Sequence, residues 1–97
     1  MMLGWGPFVN WDTSQMPRYF FHLHNDVDVR DEEGQHLPDE DNARRLGLEY
    51  VRDAASLSVK EGHLNLRHFL CCEDDAGQIV FTITFGDAVV IVGDPRH

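Results

Sequence analysis

Pro38-Asp-Glu-Asp-Asn-Ala-Arg-Arg-Leu-Gly-Leu-Glu-Tyr-Val-Arg-Asp-Ala-Ala-Ser-Leu-Ser-Val-Lys-Glu-Gly62 reads as one long helix, and the fold follows from what stands on either side of it. Asp39, Glu40 and Asp41 place negative charge at the positive end of the helix dipole, and Gly62 supplies the stop, so the helix is predicted from about Asp39 to Glu61. Ala43, Leu46, Gly47, Tyr50, Ala54 and Leu57 recur at helical spacing, and Leu48, Val51 and Ala55 widen one side of that stripe. Leu46 and Tyr50 are expected at its centre, with Arg44 nearer solvent.

Upstream, Arg18-Tyr-Phe-Phe-His-Leu-His24 is an aromatic run of strand length, with Tyr19, Phe21 and Leu23 on one face and Phe20, His22 and His24 on the other. Asn25-Asp26 ends it. The acidic stretch through Leu37 holds few apolar residues and reads as a short exposed hairpin or loop. Downstream, Leu64–Cys72 and Gln78–Phe85 are β-rich arms joined by Glu73-Asp-Asp-Ala-Gly77, a hairpin whose second arm presents Ile79, Phe81, Ile83 and Phe85 on one apolar face. Ala88 to Val92 fits a final short strand or a turn of helix. Residues 1–15 lack periodicity and carry Gly4, Gly6 and Pro7, which predicts an N-terminal extension before one domain at 16–92 and a polar tail at 93–97.

The order strand-helix-strand-strand predicts an α+β fold, an antiparallel sheet of about three to four strands with one long helix packed on one face. The opposite face, carrying Phe20 and Val80 with His22 and Thr82, is then expected to be solvated, covered by the N-terminal extension or buried against a second copy.

The chain has 97 residues, the size of one domain, and its formal charge of -9 disfavours nucleic acid and anionic lipid as partners. No apolar run reaches the roughly 18–20 residues of a membrane span, and Met1–Gln15 lacks the pattern of a signal peptide, so a cytoplasmic location is expected. Cys71 and Cys72 are neighbours on a strand, pointing to opposite faces; reduced, buried thiols fit that location better than a disulfide.

Met16-Pro-Arg-Tyr-Phe-Phe-His-Leu-His24, Asp31-Glu-Glu-Gly34, Leu37-Pro38-Asp39, Asp75-Ala-Gly77 and Phe85-Gly-Asp-Ala88 together resemble a family of short bacterial proteins known only as a domain of unknown function. The likeness covers Met16 to Val92 and implies that Met16 is the natural start. It implies no activity, cofactor or catalytic residue.

No residue is assigned a catalytic, cofactor-binding or metal-binding role. His22 and His24 alternate on one strand face and could offer two imidazoles to a metal, with His68 or Cys72 as a third ligand, but two ligands are a weak signal. Cys71-Cys72 lacks the spacing of a zinc knuckle or redox pair. His68 and Cys72, expected on one strand, stand about 13 Å apart along it, too far for a base and its nucleophile. The Asp26–Gly34 run fails the calcium-loop pattern, since Arg30 occupies a ligand position in either register, and reads as a solvated acidic loop. No Gly-x-Ser-x-Gly turn or phosphate-cradling loop occurs. The preferred expectation is a homodimeric interaction or regulatory module, with a basic protein as a further partner and Phe20, His22 and Val80 near the dimer contact. The alternative is a small metal-binding or enzymatic module built on the strand histidines.

Overall fold

The computed structural model describes residues 16–93. The extension expected at 1–15 and the end of the tail, 94–97, lie outside the described residues. In chain order the elements are β1 (Arg18–His24), β2 (Asp28–Val29), β3 (Gln35–His36), α1 (Glu40–Lys60), β4 (Phe69–Glu73), β5 (Ile79–Thr84) and α2 (Phe85–Ala88).

The α+β class and the single long helix agree with the sequence reading, but the antiparallel sheet has five strands, more than expected. Its path is β2-β1-β4-β5, with β3 also on β1. The extra strands come from the stretch read as an exposed hairpin or loop. β2 pairs with the Leu23–His24 end of β1 and β3 with its Arg18–Tyr19 end, so this polar segment satisfies the backbone along the edge of β1 opposite β4.

Helix α1 starts where the Asp39 side chain accepts the Asn42 N–H at 2.9 Å, a bond that holds the Asp39 carboxyl below its usual range. Gly62, at φ +96°, ends it. The buried face is Ala43, Gly47, Val51, Ala54, Ala55 and Ser58. This corrects the predicted stripe: Leu57 is 61% exposed, and Leu46 and Tyr50 are only half-buried. The helix offers its small side chains because the sheet supplies the large ones, Phe21, Leu70, Phe81 and Ile83. A Cβ on Gly47 would lie 3.1 Å from Phe81 Cε1 and 3.3 Å from Ile83 Cδ1. Arg44, though half-exposed, sets its guanidinium 4.7 Å from the centre of the Phe81 ring. Leu57→Ala should therefore change stability by no more than about 0.5 kcal/mol. Val51→Ala, at a fully buried position, should cost about 2 kcal/mol in urea denaturation.

The hairpin also departs from expectation at two places. Residues 64–68 are not strand, because Asn65 accepts the Arg67 N–H on its side chain (2.9 Å) and the His68 N–H on its carbonyl (3.2 Å), closing a turn. On β5 the register slips between Cys72↔Phe81 and Glu73↔Ile79, leaving Val80 as an extra residue. Ile79 consequently drops out of the apolar file and is 62% exposed.

At the end of β5, Thr84 and Asp87 form a reciprocal cap: the Thr84 hydroxyl accepts the Asp87 N–H (2.9 Å) and the Asp87 carboxylate accepts the Thr84 N–H (3.0 Å). Phe85 is thereby the first residue of α2 rather than the last of the strand, and the turn of helix falls at Phe85–Ala88, before the stretch where it was expected. Its N–H donates to His68 O at 2.7 Å, and Gly86 N–H donates to Leu66 O at 3.1 Å. A Cβ on Gly86 would sit 3.3 Å from that Leu66 carbonyl, so the backbones pass closely here. No helix among the described residues is long and apolar enough to cross a membrane.

Candidate functional site

A group of bonded polar side chains meets on β1, where residues 30–34 leave the sheet between β2 and β3. The main-chain ladder is interrupted there, and Asp31 replaces it. Its carboxylate accepts the N–H groups of Phe21 (3.1 Å), Glu33 (3.1 Å) and Gly34 (3.0 Å), while its own N–H donates to His22 Nδ1 at 3.0 Å. Burial pulls the Asp31 carboxyl upward, but the N–H groups of Gly34, Phe21 and Glu33 outweigh it and hold the group below its ordinary range. Because His22 Nδ1 accepts, its ring proton sits on Nε2, which donates to Glu73 Oε1 at 3.2 Å. Gly34 is required by geometry. It has φ +72°, and a Cβ would meet Arg18 Cγ and Phe20 Cε2 at 2.8 Å each.

His22 is therefore 3% exposed, closed over by the loop, and Phe20 is half-buried beneath Gly34. His22, expected near the dimer contact, is thus covered by this chain's own loop, and the acidic run is a structural clasp rather than a merely solvated loop. Sequence reasoning missed Asp31, Gly34 and Glu73 as a unit. The signal was present as the Asp-x-x-Gly turn, whose aspartate is of the type that caps backbone N–H groups.

The other histidines are engaged separately. His24 Nδ1 pairs with Asp28 at 3.1 Å, its Nε2 lies 3.9 Å from Cys71 Sγ, and its ring stacks on Phe69. His68 is not on β4, and it packs edge-on against Phe85. Asp26 stands between His63 Nε2 (3.0 Å) and His68 Nε2 (3.7 Å). Among the described residues no three His, Cys, Asp or Glu side chains gather as ligands for one ion. Cys71 and Cys72 are free and buried on opposite faces. Burial, with Cys71 next to it, pushes the Cys72 thiol up to about 12, and burial with Glu73 raises Cys71, so both stay protonated and weakly nucleophilic.

Beside the clasp, the loop and α1 bound an open groove of about 530 Å³. Phe21, Leu23, Leu70 and Val29 give it an apolar floor, Tyr50 forms one wall edge-on to Phe21, and Glu32 and Glu33 stand at its lip with Arg30. Across the loop, Glu32 also borders a smaller hollow with Glu73, Asp74 and Asp75 of the hairpin turn.

A family model described as Domain of unknown function (DUF6894) matches residues 18–86. The chain belongs to that family. The matched span runs from the first residue of β1 into α2 and so contains the whole clasp, the groove and the hairpin. No curated protein and no solved structure matches the chain.

Proposed function

We propose that this domain is a non-catalytic interaction module that works as a homodimer and offers its acidic loop face to a basic protein partner. The observation carrying this reading is the run Val90, Ile91 and Val92, three consecutive apolar residues exposed by 85%, 65% and 87%, where the other exposed large apolar side chains, such as Leu57 and Ile79, stand apart in the sequence. Consecutive exposed β-branched residues favour association over solvation. The clustered titratable side chains support the same reading, since His22, Asp31 and Glu73 bond to one another and to backbone, holding a loop in place.

The groove favours a basic segment with an apolar anchor: the floor takes the anchor, and Glu32 and Glu33 attract the charge. The thermal midpoint of the full chain should rise with protein concentration, as expected when only the folded state associates. Titration with a lysine-rich peptide carrying one leucine should show binding that weakens as salt is raised. A midpoint independent of concentration removes the dimer, and binding indifferent to salt removes the basic partner.

A further inference from the structure

Two strand-competent segments of this chain lack a sheet partner among the described residues. The first is the outer edge of β5, which pairs only with β4. Ile79-Val-Phe-Thr-Ile-Thr84 contains no charge and no proline, the features that usually blunt an edge, and its bulge at Val80 leaves Phe81–Thr84 in regular register. In an antiparallel sheet, alternate residues of such an edge turn both N–H and C=O outward. The second is Val89-Val-Ile-Val92. It follows α2 directly, begins extended with Val89 at φ -134° and ψ 156°, and is wholly β-branched. The two segments match at four residues each.

Within its own chain the segment does not pair with that edge. Arg52 of α1 donates from Nε to Ala88 O at 2.9 Å, and Val89 packs on the core, so the end of α2 is tied to the helix and the core.

We infer that Val89–Val92 of one copy adds as a strand to Phe81–Thr84 of a second copy, reciprocally about a two-fold axis. The inference rests on the homodimer reading and specifies how the dimer forms. Main-chain hydrogen bonds then satisfy both orphan edges, and Val90, Ile91 and Val92 are taken out of water.

The test uses the full chain and the double variant Val90→Pro/Ile91→Pro, which keeps the segment apolar but removes the N–H groups a strand must donate. The exposure of both positions leaves the fold intact, checked by an unchanged cooperative melting curve at low concentration. Wild type should self-associate, with amide exchange at Val90–Val92 slowing as concentration rises, and the variant should associate more weakly by about tenfold or more. A wild-type dimer with fast exchange at these amides, or a double-proline variant that dimerises like wild type, overturns the strand exchange while leaving the dimer standing. A wild type monomeric at every concentration removes both.

Discussion

Phe85→Ala is expected to lower the stability of the domain by about 3–5 kcal/mol. Phe85 is fully buried and meets the His68 ring edge-on at 5.5 Å between centroids, and its N–H bonds to His68 O. Truncation therefore opens a ring-sized cavity at the point where the sheet ends, α2 begins and the 64–68 turn is tied down. A domain of this size commonly holds about 5–15 kcal/mol in total, so much of the margin would go. Urea denaturation measures the effect directly. Phe85→Leu, which fills most of the space, should lose no more than about 1.5 kcal/mol. A Phe85→Ala loss below about 1 kcal/mol would contradict the placement of this ring in the core.

Asp31→Ala should cost about 2–3 kcal/mol, although it removes a loop carboxylate, because three backbone N–H groups lose a charged acceptor together. The effect should depend on pH. The Asp31 carboxyl is held below its ordinary range in the folded chain, so its contribution is complete above the unfolded value of about 3.9 and is lost as pH falls through the lower folded value. Asp31→Asn keeps one acceptor oxygen and has no charge to lose. The stability difference between wild type and Asp31→Asn should accordingly be constant near neutrality and shrink in acid. A difference that is flat down to acid unfolding would show that the bonds to Phe21, Glu33 and Gly34 do not act through the carboxylate charge.

The layout was legible wherever local chemistry and burial agree. Pro38-Asp39 and Gly62 bracket a helix found at Glu40–Lys60, and the aromatic run from Arg18 is β1 from its first residue to His24. The misreadings have physical causes. Leu57 reads as core because a stripe is sought among large apolar residues, whereas here the sheet supplies the large side chains and the helix packs through Ala43, Gly47, Ala54 and Ala55. Strict alternation puts Ile79 on the apolar face because it cannot foresee the extra residue at Val80. The loop before the helix reads as solvated because its composition is acidic, yet one of its carboxylates, Asp31, substitutes for the missing strand partner of Phe21. The candidate site was the least legible part, since His22 owes its burial to a segment that composition alone places in water.

Sedimentation equilibrium of the full-length chain at neutral pH, carried through a wide dilution series, tests the interaction-module account most directly. A mass of twice 11.1 kDa that falls toward 11.1 kDa on dilution is the predicted result. A single species of 11.1 kDa at every concentration would contradict it.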